Sequence, residues 1–220
     1  MLTGSVSNID LYRVWRKSED LDLEWLLRRL RGEEPQTEQM KAGEAFHKIL
    51  ENPDFTEQTE VTHGDYWFSI LCDIEVAIPQ VRELSIEKQY GDVIVRGRID
   101  GLRGKTVKDY KTTAQFDPDR LMEGYQWRFY LDMLGCETFT WQVFVLSQYG
   151  KPGHYDVTQT HELTQKRYVG MEADCVRLAS DYADFIRDCG ASAQKTPGDG
   201  KSKQVPLASA CTAVAQEVSE

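Results

Sequence analysis

No stretch of the chain constrains its fold as tightly as Val93 to Thr113, which reads V-I-V-R-G-R-I-D-G-L-R-G-K-T-V-K-D-Y-K-T-T. Two β-rich runs flank a short Gly-Leu-Arg-Gly-Lys segment, the composition and spacing of a hairpin. Side chains alternate along a strand with period two, so Asp109 and Lys111 share a face of the second strand while Tyr110 points the other way. Asp100 ends the first strand nearby. Two carboxylates and a lysine can then converge beside one sheet edge. That arrangement suits a hard divalent cation together with a cationic group that handles a water or an oxyanion.

Elements on either side add to this set. Thr37 caps a helix through T-E-Q-M-K-A-G-E-A-F-H-K-I-L-E, on which Met40, Gly43, Glu44, His47, Leu50 and Glu51 share a side. Downstream, Asp117-Pro118 starts a helix expected over Asp119 to Gly135 that is apolar almost all round, with Gln126 and Tyr130 projecting together. Asp-x-Lys alone arises by chance in many chains. The ordered set, Gly43 with His47, then Gly97-Arg98-Ile99-Asp100, Asp109-Tyr110-Lys111-Thr112, and Gln126 with Tyr130, is far more specific. From about Ser5 to Leu146 it resembles the PD-(D/E)XK nuclease superfamily, in its RecB-like branch of phage and CRISPR-associated exonucleases.

The resemblance implies an α/β, restriction-endonuclease-like fold: a central mixed sheet flanked by helices, with an αβββαβ core. It implies hydrolysis of DNA phosphodiester bonds with Mg²⁺ or Mn²⁺ held by His47, Asp100, Asp109 and the backbone carbonyl of Tyr110. Lys111 would orient a water or stabilise developing charge, and Glu87, on a strand beside the hairpin, would support the site. Gln126, Tyr130, Arg98 and Thr112 are assigned to substrate contact, Gln126 and Tyr130 equally to buttressing the site. By the same analogy the activity is exonucleolytic, in recombination or repair of the phage or prophage type. The chain has no helicase motifs, so a helicase or a single-strand annealing protein would act as partner. The alternative is a catalytically silent nucleic-acid-binding or scaffold module that keeps the fold. Relatives with an iron–sulfur cluster carry one N-terminal cysteine and a C-terminal triplet. Here Trp15 stands in the first region and the five cysteines are scattered, so no iron–sulfur cluster is expected.

Composition sets limits on these expectations. The 220 residues suit one domain at 1–190 followed by a polar, flexible tail at 191–220. No apolar run approaches the ~20 residues of a membrane span, and the first residues lack the pattern of a secretory signal, so a cytoplasmic protein is expected, in a bacterial host if phage-encoded. A net charge of −10 opposes non-specific nucleic-acid binding, which depends on phosphate neutralisation. The cluster Arg96, Arg98, Arg103, Lys105, Lys108 and Lys111 is the candidate for a locally basic DNA path.

Elsewhere the patterning predicts a helix beginning near Ser7, a second over Leu21 to Arg31, a loop over Asn52 to Gly64, and strands at Tyr66 to Ile70 and Arg82 to Gln89. Leu71 to Ile78 reads equally as strand or short helix. Phe139 to Leu146 is a strand apolar enough to be buried on both faces, His154 to Val157 an edge strand, and Thr164 to Cys189 a long covering helix. His63 and His161 lack a partner pattern and are assigned to solvent.

Overall fold

The computed structural model describes residues 1–51, 58–76 and 79–194. In chain order the elements are β1 (Leu2–Ser5), α1 (Val6–Lys17), α2 (Leu23–Leu30), α3 (Glu38–Leu50), β2 (Glu60–His63), β3 (Tyr66–Ile70), β4 (Val81–Tyr90), β5 (Val93–Arg103), β6 (Thr106–Thr113), α4 (Pro118–Glu123), α5 (Gln126–Leu134), β7 (Thr138–Gln148), β8 (His154–Lys166) and α6 (Met171–Gln194). All eight strands form one mixed sheet in the order β1-β5-β6-β7-β8-β3-β2, with β4 pairing β5 off this path. The αβββαβ order is present as α3, β4 to β6, α4 with α5, and β7, and the β2–β3 hairpin is inserted after α3.

Helices cover both faces of the sheet, so the central strands are apolar on both sides, as in β7 with its run of buried residues from Phe139 to Leu146. On one face α1, α5 and α6 bury Val95, Ile99, Val107 and Trp141. On the other, Phe46 of α3 lies 5.1 Å, ring centre to ring centre, from both Phe68 of β3 and Phe144 of β7. Local signals set the helix starts: Ser5, Asp22 and Thr37 each accept a hydrogen bond from a backbone N–H of the first turn.

β5 organises the site because its partners change along its length. One edge pairs with β4 throughout. Along the other edge β1 runs parallel to Val93–Arg96, and β6 pairs antiparallel only with Gly101, Leu102 and Arg103. Between these two ladders lie Gly97, Arg98, Ile99 and Asp100, with no strand paired to them on that edge among the described residues.

Several elements differ from expectation. The loop expected before Gly64 contains β2, paired with β3; residues 52–57 lie outside the described ones. The helix expected over Asp119 to Gly135 is two helices, because Asp10 Oδ1 of α1 accepts a hydrogen bond from Tyr125 N at 2.8 Å and Gly124 packs close to the same carboxylate. β8 is not an edge strand: it pairs with β7 on one side and β3 on the other, and continues through Thr164 to Lys166. The last helix therefore starts at Met171, after Gly170 at φ 92°, and runs to Gln194, beyond the expected end of the domain. Residues 195–220, most of the expected tail, lie outside the described ones. Of 71–78, the described part, 71–76, forms neither strand nor helix. Among the described residues no helix is long and apolar enough to cross a membrane.

Candidate active site

The gap in the β5–β6 ladder brings the acidic residues together. Beyond the Gly101–Lys108 pair the two strands part, and Asp100 Oδ2 accepts the hydrogen bond from Tyr110 N at 2.7 Å that a strand partner would otherwise take. The N–H and C=O of one strand residue face the same edge, so the Tyr110 carbonyl is directed at this gap as well. The Tyr110 ring goes the other way, into the core under α3. Asp109 and Lys111 share the opposite face as their spacing predicts, with Lys111 Nζ 3.0 Å from Asp109 Oδ2.

Asp109 is 3% exposed, and its Oδ2 has no hydrogen-bond partner in the described residues despite the nearby ammonium. Burial pushes its carboxyl pKa up against the pull of Lys111. Burial and the neighbouring Asp109 likewise raise Asp100, opposed by the Tyr110 N–H, Lys111 and His47. For Lys111, burial favours the neutral amine but the two carboxylates outweigh it, so its pKa lies above the ordinary value. His47 is shifted down, chiefly by burial, with Asp100 pulling the other way. A neutral imidazole is the form that ligates metals.

His47, Asp100, Arg98 and Thr112 line one opening of about 770 Å³ between α3, β4 and β5. Its floor depends on Gly43, where a Cβ would lie 2.6 Å from Thr112 Oγ1, so only glycine lets α3 settle onto β6 here. Gly97 has the same role on the other face, since a Cβ there would overlap the Tyr130 ring. Tyr130 is buried, stacks on Phe139 and donates from its hydroxyl to the Arg98 carbonyl at 2.9 Å, within the unpaired window of β5. Gln126 hydrogen-bonds the same hydroxyl. The pair thus meets the β5 backbone beside Asp100.

Glu87 does not reach the opening. It is exposed and pairs with Arg96 at 3.1 Å, its neighbour across the β4–β5 ladder. The pairs Arg82–Gly101 and Leu84–Ile99 put Glu83 across from Asp100 instead. Glu83 lines the opening, holds Arg98 at 2.9 Å and has φ 52°, left-handed backbone rare for a residue with a Cβ. The two-residue Gly91-Asp92 turn sets this register, so the sequence contained a signal for Glu83. His63 also lines the opening, with Gly64 and Asp65 at the β2–β3 turn, while His161 stacks on Phe116 at 4.1 Å. Of the six residues expected to form a basic path, Arg96, Arg98, Lys105, Lys108 and Lys111 are each ion-paired.

The donors fit a hard divalent cation in chemistry. Two carboxylates held close together share one ammonium, Lys111, and one of their buried oxygens accepts no hydrogen bond, which leaves negative charge that such an ion can neutralise. Among the described residues no three His, Cys, Asp or Glu side chains close into a metal cage. Few protein ligands is the habit of Mg²⁺, which completes its shell with water and substrate phosphate.

Three solved structures are similar to the chain, each with a TM-score of 0.47. They are the protein SSO0001 (19% identity, covering 86% of this chain and 82% of that one), an alkaline exonuclease from Laribacter hongkongensis (11%, 84% and 88%) and a phage-related exonuclease from Haemophilus somnus 129PT (10%, 82% and 94%). No family model and no curated protein matches the chain.

Proposed function

We propose that the chain is a metal-dependent deoxyribonuclease of the PD-(D/E)XK type, acting as an exonuclease. The observation that carries this reading is the break between β5 and β6, which gathers Asp100, Asp109, Lys111 and the Tyr110 carbonyl, with an unsatisfied Asp109 oxygen among them.

Asp100, Asp109, the Tyr110 carbonyl and His47 would hold Mg²⁺ or Mn²⁺, whose bound form polarises the phosphate and acidifies a water. The chain's own groups do the rest. Lys111, held in its charged form by the two carboxylates, donates hydrogen bonds to the attacking water or to charge developing on the phosphate, worth roughly 3 kcal/mol in the transition state. Asp100 keeps Tyr110 in place through its hydrogen bond, so the carbonyl stays aimed at the gap. Arg98, restrained by Glu83, presents a guanidinium to a phosphate at the rim. Tyr130 and Gln126 hold the Arg98 backbone. A role in phage-type recombination or repair, with a helicase or annealing protein supplying unwound strands, follows the resemblance of the motifs.

The test compares linear with covalently closed circular DNA. The wild-type chain is expected to degrade the linear form only, with Mg²⁺ or Mn²⁺ and not with chelator; Asp109→Asn is expected to lower the rate at least ~100-fold. Full activity in the variant, or in chelator, overturns the assignment. Cleavage of closed circles overturns the exonuclease part.

A further inference from the structure

A groove of about 1010 Å³ lies beside the opening that holds His47 and Asp100, and the two share Met40 and Thr112 as a common rim. Its walls come from the N-terminal end of α3, the end of β6 with the 114–117 connection after it, and the C-terminal end of β7. We infer that this groove binds the sugars and bases of unpaired nucleotides adjoining the scissile phosphate. The inference deepens the nuclease reading and rests on it for the location of that phosphate.

Three observations support it. The first is continuity: Met40 and Thr112 line both spaces, and Gly43 seats α3 against Thr112 where they meet. The second is charge. The catalytic opening carries five acids, Glu44, Glu51, Asp65, Glu83 and Asp100, and the cations Lys41, Lys48 and Arg98, whereas the larger groove carries only Asp117 and Arg120. Asp117 is occupied in capping α4 through Arg120 N at 3.1 Å. Beside these two charges the groove presents the amides and hydroxyls of Thr37, Gln39, Gln115, Ser147 and Gln148, the groups that read base edges and sugars and not the phosphate charge, together with the apolar surface of Phe116 and Leu146. The third is Met40, which is 47% exposed on the shared rim, where a flexible thioether can lie against a base or sugar. The groove's volume is on the scale of small-ligand sites, suited to a few nucleotides.

Ala114 is exposed on the groove wall and belongs to none of the groups assigned to catalysis, so Ala114→Trp fills the groove from outside the packed core. Binding of a fluorescein-labelled five-nucleotide thymidine strand is measured by anisotropy in chelator, so that the result stands whether or not the chain hydrolyses DNA. Binding is expected to weaken at least tenfold in Ala114→Trp and severalfold in Gln115→Ala with Gln148→Ala. Unchanged affinity in the filled variant overturns the inference. A mutational effect that disappears as salt is raised also overturns it, because the groove then acts as a phosphate subsite. With Mg²⁺, hydrolysis of bis(p-nitrophenyl) phosphate, which needs only the catalytic opening, is expected to be equal in wild type and Ala114→Trp, and circular dichroism checks the fold. If wild type hydrolyses neither substrate while the binding difference persists, the nuclease reading falls and the groove stands.

Discussion

Two buried aspartates show how neighbours alone decide what a carboxylate does. Asp132 is surrounded by donors: Lys88 at 2.8 Å, Tyr90 at 2.8 Å and Arg167 at 2.6 Å. Burial works against its charge, but the hydrogen bonds of these partners overcome it and hold its pKa below the ordinary range. Its stabilising contribution is therefore present above the unfolded-state pKa of about 3.9 and is lost as pH falls through the lower folded value. Asp132→Asn is expected to cost about 3 kcal/mol in urea unfolding at pH 7, with the gap to wild type closing as the pH is taken below 3. Asp109 has the opposite shift, raised chiefly by burial, so its contribution to stability is present below that same unfolded value and is lost as pH rises through the folded one. Asp109→Asn, without divalent cation, is expected to raise Tm at pH 7 by a few degrees, with the difference vanishing near pH 4; a lower Tm would mean that the Lys111 pair outweighs burial. Stability given up at neutral pH is what a functional site displays when its charge partner comes from outside the chain.

At the level of elements, the site depends on close approaches that only glycine permits. Gly97 admits the Tyr130 ring against β5, and Gly43 admits β6 against α3. Gly97→Ala is expected to destabilise the fold by about 1–3 kcal/mol, since ring or strand must shift. It should lower kcat more than it changes KM for DNA, because displacing Tyr130 releases the Arg98 carbonyl and loosens Asp100 two residues on. Urea unfolding with steady-state kinetics checks both; a stability loss with unchanged kcat would make the contact purely structural. The hairpin, the α3 cap and the pairing of Asp109 with Lys111 were legible because each depends on residues close in sequence. The break between α4 and α5 was not, because it depends on Asp10, 115 residues away from Tyr125. Nor was the central position of β8, since local patterning cannot tell an edge from an interior strand when β3 supplies the second neighbour.

For the whole molecule, charge limits how DNA would be engaged under the proposed function. A chain of net charge −10 whose cations at the opening, Lys41, Lys48 and Arg98, are each ion-paired has little free positive charge to place on a backbone. The salt dependence of DNA affinity is therefore expected to be shallow, with a log–log slope no steeper than about −3 for three phosphate contacts. Anisotropy titrations over a range of salt, with Ca²⁺ present to supply the divalent charge, read this directly; a slope near −6 would reveal a basic path elsewhere. Residue types, their order and strand periodicity are properties of the chain; they place Asp109 and Lys111 on one strand face, and through the family resemblance they made His47 and the Gln126–Tyr130 pair candidates before any coordinates. Which cations remain free and where a second groove adjoins the site depend on contacts between distant segments, and those exist only once the sheet is assembled.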